Sequence, residues 1–257
     1  MRTIVAFSLS VALLGGLFAQ DAKTLLKQSQ QKYRQMQSME ASIVINAQIT
    51  QGNNTVKQQM RSTLALQKPN KLAMKASGDN PMATREAYSD GKQLIIYLPA
   101  MKQYLKREAP PDLDAPAAGA AMGELSLLFG FAKENLDDPQ SKAKYALKGK
   151  KTINGKPTHV IEVTEKQANA SQVIRLYVGV QDKLIYRLEM DQQAQMPSNQ
   201  QGQPPQRFAM KIEADIRYLS FNKPIPPSRF KFTPPKDAKP AQRPQPGTPT
   251  PPPQERK

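Results

Sequence analysis

Few residues of this sequence could carry out covalent or metal chemistry. The chain has one histidine, His159, and no cysteine, so a common zinc site and a thiol nucleophile are both missing. No Gly-x-Ser-x-Gly segment accompanies His159 as part of a Ser-His-Asp triad. Five residues separate Gly149 from Gly155, and Pro157 stands where a phosphate-binding loop needs Ser or Thr. We therefore expect no enzyme, no metal and no cofactor.

Apolar side chains are the more informative feature. The chain has 11 methionines and no tryptophan, and flexible thioethers fill irregular apolar spaces and adapt to varied ligands. Residues 122–135 are more apolar than one thin helical stripe requires. We predict a short helix there that covers the open mouth of a curved sheet.

Alternation of apolar and polar residues predicts that this sheet is antiparallel. A helix at 21–39 precedes it, and Asp-Gly at 90–91 and Asn-Gly at 154–155 are typical hairpin turns. Loops are expected at 110–119 and 192–206. The predicted strands are 43–49, 57–67, 71–76, 83–88, 93–97, 103–107, 144–148, 158–164, 173–178, 184–191 and 207–219. Eleven short strands with little helix between them predict a mainly β fold that curls on itself.

The N-terminal residues are typical of a secretory signal peptide. Arg2 precedes an apolar stretch from Ile4 to Leu17, and Ala19 offers a cleavage site before Gln20. An uncleaved membrane anchor is the alternative, although the stretch is short for a membrane-spanning helix. We expect a signal peptide at 1–19, one folded domain at 20–235 and a proline-rich disordered tail at 236–257.

The charge is strongly positive, with 37 Lys and Arg against 21 Asp and Glu. Because the chain is exported, we expect no nucleic acid partner. Anionic lipid head groups, acidic glycans and an acidic protein remain as alternatives. A solvated lysine-rich surface that serves solubility and edge protection is equally compatible with the charge.

An ordered set of motifs is similar to a known family. Lys68-Pro69-Asn70 follows a strand, and Ser89 to Lys92 leads to Tyr97, Pro99 and Gln103. The apolar segment at 122–135 and the closing segment at 221–237 complete the set. Taken together, they resemble the LolA-like family of periplasmic lipoprotein carriers. The resemblance implies an unclosed antiparallel β-barrel of about 11 strands, with helices as a lid over an apolar cavity.

The resemblance also implies a function and a set of site residues. Carriers of this family hold the acyl chains of lipoproteins and pass them across the periplasm, so cargo and transfer proteins of the inner and outer membranes are the expected partners of a monomer. Lys68 stands where the best-known carriers have an arginine that bonds the lid shut. The residues assigned to the cavity and lid are Leu64, Leu66, Leu72, Met74, Ile95, Tyr97, Leu125, Leu128, Phe129, Phe131 and Leu176.

The closing segment places Phe230 and Phe232 among several prolines. We expect these prolines to end the last strand at the open edge of the sheet, where no ladder donor is needed, and the two rings to anchor it. A non-transporting envelope sensor or binding module on the same fold is the alternative function. An enzyme is a third interpretation without a recognisable catalytic set.

Overall fold

One open sheet accounts for most of the chain. The structure is a computed structural model that describes residues 11–126, 130–131, 134–196 and 206–241, with the backbone alone at 11–20, 124–125 and 196. The strands are β1 (Ser38–Gln51), β2 (Asn54–Gln67), β3 (Lys71–Gly78), β4 (Arg85–Asp90), β5 (Gln93–Leu98), β6 (Gln103–Glu108), β7 (Lys144–Ile153), β8 (Lys156–Gln167), β9 (Ala170–Gly179), β10 (Ile185–Met196), β11 (Gln206–Phe221) and β12 (Lys239–Pro240). Their order is β12-β6-β5-β4-β3-β2-β1-β11-β10-β9-β8-β7, so β12 and β7 form the two ends of an unclosed barrel.

The eleven predicted strands are all present, and β1 to β11 pair in antiparallel fashion. Asn154 and Gly155 both have positive φ angles, 49° and 75°, as the predicted hairpin turn between β7 and β8 requires. Several strands are longer than the predicted ones. For example, β10 reaches Met196 and β11 begins at Gln206. Residues 197–205 of the predicted 192–206 linker lie outside the described residues.

Helix α1 (Val11–Arg34) packs across one face of the sheet, here called the inner face. Ala22, Leu26 and Tyr33 are buried at helical spacing, so one stripe of α1 contacts the strands. The predicted helix end at residue 39 is wrong. The helix stops at Arg34 and β1 begins at Ser38, so Met39 is a buried strand residue. Within the described residues, no helix combines the length and the hydropathy needed to cross a bilayer.

The mid-chain segment (residues 110–143) contains a second helix in a different place from the predicted one. Helix α2 (Pro116–Met122) lies largely within the predicted loop at 110–119, because Pro116 is suited to the first turn of a helix. Gly123 ends it at a φ of 57°, and a Cβ there would lie 1.8 Å from an Arg85 nitrogen. A 3₁₀ helix follows at Gly123–Ser126, where an α-helix was predicted, and residues 127–129 and 132–133 lie outside the described residues.

The C-terminal segment (residues 222–241) crosses the opposite face of the sheet, here called the outer face. The expectation that its prolines end an edge strand is wrong, because β11 lies in the middle of the sheet between β1 and β10. The segment instead leaves the sheet and forms a 3₁₀ helix at Pro227–Phe230. Phe230 is only 1% exposed in a second core cluster with Ala65, Ala73, Tyr88 and Ile225. The predicted anchoring by Phe230 is thus present, but on the outer face.

Strand β12 closes this segment against the edge of the sheet. It pairs in parallel with β6, where the Lys239 amide donates to the Lys102 carbonyl at 2.9 Å and the Ala241 amide donates to the Tyr104 carbonyl at 2.8 Å. Lys102 also forms a 2.7 Å ion pair with Asp237. The folded part therefore extends to Ala241, beyond the predicted boundary at residue 235. Residues 242–257 of the predicted tail lie outside the described residues.

Candidate functional site

Among the described residues, two cavities with apolar walls lie on the inner face, and the mid-chain segment contributes to both. The larger cavity, about 540 Å³, lies at the C-terminal end of α1 and is lined by Tyr33, Arg34, Met36, Leu66, Lys68, Pro69, Asp112, Leu113, Asp114 and Met122. The smaller cavity, about 140 Å³, is lined by Leu26, Phe131, Glu134, Leu136, Ala143, Tyr145, Val163, Glu165, Gln172, Ile174, Leu176 and Leu188. A volume of roughly 300–1,000 Å³ is usual for a small-molecule site, so the larger cavity has a suitable size.

The Lys-Pro-Asn turn at residues 68–70 joins three elements around the larger cavity. The Lys68 ammonium donates to the Arg34 carbonyl at the end of α1, at 2.5 Å, where a cation complements the helix dipole. The Asn70 amide donates to the Pro110 carbonyl at 2.9 Å, and the Leu113 amide donates to the Pro69 carbonyl at 2.9 Å. The turn thus ties the end of α1 to the start of the mid-chain segment.

Gln30 holds the other part of the mid-chain segment and was not among the predicted site residues. Its side-chain amide donates to the carbonyls of Phe131 at 2.7 Å and of Glu134 at 2.9 Å. Gln30 is 4% exposed, and the Phe131 ring lies edge-on to Tyr33 at 5.5 Å between centroids. A polar side chain within the buried stripe of a helix was the available signal, because such a group needs a partner.

A tyrosine network fixes α1 to the sheet. The hydroxyls of Tyr33 and Tyr218 share a hydrogen bond, the Ile185 amide donates to Tyr33 at 3.0 Å, and Tyr218 donates to the Ile185 carbonyl at 2.9 Å. Complete burial raises the pKa of Tyr33 to about 12, and burial also raises the pKa of Tyr218 well above its usual value. Both hydroxyls therefore stay neutral and keep their hydrogen bonds between α1 and the sheet.

Most described residues of the predicted site face the inner side. Leu66 lines the larger cavity, while Phe131 and Leu176 line the smaller one. The fully buried core of this face includes Leu64, Leu72 and Met74. The Lys68 contact with a helix carbonyl has the predicted chemistry, although the helix is α1 rather than one in the mid-chain segment.

The structure does not bring Ile95 and Tyr97 to the inner face. Ile95 is paired with Tyr88, so it shares the outer face with that residue, and Tyr97 contacts the Phe232 ring at 5.4 Å. Their placement was wrong because alternation separates the two faces of a strand without telling which one is inner. Leu128, Phe129 and the side chain of Leu125 lie outside the described residues.

The outer face carries a charged ladder instead of an apolar wall. Arg187 forms a forked pair with Asp215, two hydrogen bonds of 2.8 Å each, and Arg175 pairs with Glu162 at 2.9 Å. A polar cavity of about 610 Å³ lies beside this ladder and includes Glu189. In the parts of the chain that the structure describes, no cluster of His, Asp and Glu could hold a metal ion.

The open antiparallel sheet, with a helix along its inner face and a segment that partly covers that helix and sheet, forms an unclosed half-barrel. The chain belongs to the family described as "Predicted periplasmic protein (DUF2092)", whose model matches residues 22–242. This membership confirms the periplasmic location expected from the N-terminal sequence. Cleavage near Ala19 stays a prediction.

Known proteins similar to the chain include one curated relative and several solved structures. Uncharacterized protein MJ0687 of Methanocaldococcus jannaschii is 27% identical over 242 residues, which are 90% of this chain and 58% of that protein. LprF from Mycobacterium bovis is 10% identical, with a TM-score of 0.45, over 86% of this chain and 98% of that one. The LolA superfamily protein NE2245 from Nitrosomonas europaea is 11% identical, with a TM-score of 0.32, over 82% of this chain and 97% of that one.

Proposed function

We propose that this protein binds the acyl chains of lipoproteins, or of a similar lipid, on the inner face of its sheet and carries them across the periplasm. The observation that supports this proposal is the cavity of about 540 Å³ between the end of α1 and the mid-chain segment. Its apolar lining includes Met36, Leu66, Leu113 and Met122, and the tie at Lys68 lies beside it.

The binding energy would come from hydrocarbon burial. Each methylene removed from water contributes about 0.8 kcal/mol, so eight buried methylenes contribute about 6 kcal/mol before the costs of ordering. Part of the mid-chain segment must move away to admit a longer chain. Its own apolar residues, such as Met122, then lose their contacts, so that the ligand-bound and ligand-free states differ by a modest free energy. Such a balance permits both loading and release.

Displacement of a fluorescent fatty-acyl probe tests the binding step. Leu113→Asp introduces a charge into the cavity lining and is expected to weaken probe binding by about tenfold or more. The matched control is Leu219→Asp, because Leu219 is 59% exposed on the surface and should tolerate the same change. Equal affinities of the two variants would contradict the proposed site.

Transfer distinguishes the carrier from the sensor. Native mass spectrometry of the protein isolated from periplasm should detect a bound acylated molecule, and lipid-loaded protein should deliver that molecule to acceptor vesicles. A ligand that binds but is never delivered would favour a non-transporting sensor or binding module. Absence of any acylated ligand in both measurements would contradict the carrier.

A further inference from the structure

The smaller inner-face cavity has an apolar interior and a polar rim. Leu26, Leu176 and Leu188 form buried parts of its wall, whereas Glu134 and Glu165 supply carboxylates. Its volume is about 140 Å³. A dry apolar cavity of about 150 Å³ is enough for benzene, so this one accepts a single short apolar group.

Tyr145 lines this cavity, and its buried hydroxyl has no hydrogen-bond partner among the described residues. Tyr145 is only 7% exposed, and burial followed by the negative charge of Glu134 raises its pKa. The nearby Ser141 side chain lowers the pKa of Tyr145, but it does not form a hydrogen bond of normal geometry with the Tyr145 hydroxyl. Since buried polar groups are almost always paired, this hydroxyl indicates that a ligand group completes the site.

The rim is negative in a chain whose net charge is +16. Burial, and next the charge of Glu165, raise the pKa of Glu134, as expected for carboxylates that lie close together. Among the described cations nearby, Lys27 is paired with Asp137 at 2.7 Å, and Lys23 lies over the Tyr145 ring, 5.1 Å from its centroid. Within the described residues, neither rim carboxylate forms an ion pair.

We infer that this cavity takes an apolar group that ends in a protonated amine, with the ammonium held by Glu134, Glu165 and the Tyr145 hydroxyl. An ammonium has three N–H donors, and the rim offers three acceptor groups. The hydrocarbon next to the amine enters the apolar interior. This inference rests on the proposed acyl-binding function and names a class within it, the cationic amphiphiles.

Three ligands with the same short chain, which suits a cavity of about 140 Å³, test the inference: pentylamine, pentanol and pentanoate. At neutral pH, calorimetric titration should show that pentylamine binds the protein about tenfold more tightly than pentanoate. The net charge of +16 would favour the opposite order, so the preference reports the local site. Equal binding of amine and carboxylate, or tighter binding of pentanoate, would overturn the inference.

Matched variants locate the preference. Glu165→Gln should abolish it, whereas Glu162→Gln, on the same strand but facing the outer side, should keep it. Tyr145→Phe should leave the melting temperature of the free protein unchanged or higher, since it removes an unpaired buried hydroxyl. It should weaken the binding of pentylamine more than that of pentanol, because a hydrogen bond to a charged group is the stronger one.

The outcomes separate this inference from the proposed function. A preference for pentylamine that survives both Glu165→Gln and Tyr145→Phe would refute the assigned site. If the three ligands bind equally while the fluorescent acyl probe still binds, acyl binding stands and only the amine preference fails. If the acyl probe does not bind either, the proposed function fails as well.

Discussion

Replacement of Gln30 by leucine should loosen the mid-chain segment while leaving the sheet intact. The change removes two hydrogen bonds, to the carbonyls of Phe131 at 2.7 Å and Glu134 at 2.9 Å, from a side chain that is 4% exposed. Each bond contributes about 1 kcal/mol net, so the closed state should lose about 2 kcal/mol. The open fraction of the segment should then rise about 30-fold.

Hydrogen exchange of the backbone amides in residues 134–143 measures that change. Exchange there should accelerate about 30-fold in Gln30→Leu, while β1 and β2 keep their protection. Gln31→Leu is the matched control, because Gln31 is exposed on the same turn of α1. Unchanged exchange in Gln30→Leu, or an equal acceleration in both variants, would refute the view that Gln30 holds the segment closed.

Three further predictions follow from contacts elsewhere in the chain. Lys68→Met removes the bond to the Arg34 carbonyl and should lower the unfolding free energy by about 1 kcal/mol and alter acyl-probe release in stopped-flow measurements; unchanged release would remove Lys68 from the mechanism. A chain ended after Lys236 should melt at a lower temperature than one ended after Ala241, because only the latter keeps β12; equal melting temperatures would contradict a structural role for β12. The pKa of Tyr33 is about 12 in the folded state and near 10 in the unfolded state, so Tyr33 should lower the unfolding free energy by about 3 kcal/mol as the pH rises from 10 to 12. The unfolding free energy of Tyr33→Phe should fall less over this range. An equal fall in the two proteins, measured by chemical denaturation, would contradict this assignment.

The strands could be predicted because each carries its own alternation and its own turns. Residues such as Ile43, Ile45 and Leu64 indicate a half-buried strand regardless of the rest of the chain. Strand β12 has no such pattern, since Lys239 and Pro240 pair with β6 only because the C-terminal segment crosses the outer face first. That path depends on the contacts of Phe232 with Tyr88 and Tyr97, and the local sequence, which marks Phe232 as an anchor, does not specify these partners.

The candidate site was predictable in its composition but not in its assembly. Leu66, Lys68, Phe131 and Leu176 do lie around the inner-face cavities. The role of Gln30 depends on a partner about a hundred residues away, and the role of Tyr145 depends on the lack of a partner for its hydroxyl. Sequence spacing encodes neither of these. Helix α2 was missed because the Ala, Pro and Asp content of residues 110–119 was taken as a loop signal, although Pro116 occupies the helix start.

The central claim is that an acyl chain competes with the mid-chain segment for the inner face of the sheet. Hydrogen exchange of the protein with and without saturating lauroyl glycerol, an uncharged acyl ligand, tests it most directly. We predict faster exchange at residues 113–122, which line and adjoin the larger cavity, and unchanged or slower exchange in β2 and β3 beneath it. Exchange at residues 113–122 that stays the same, or slows, at saturating ligand would contradict the account.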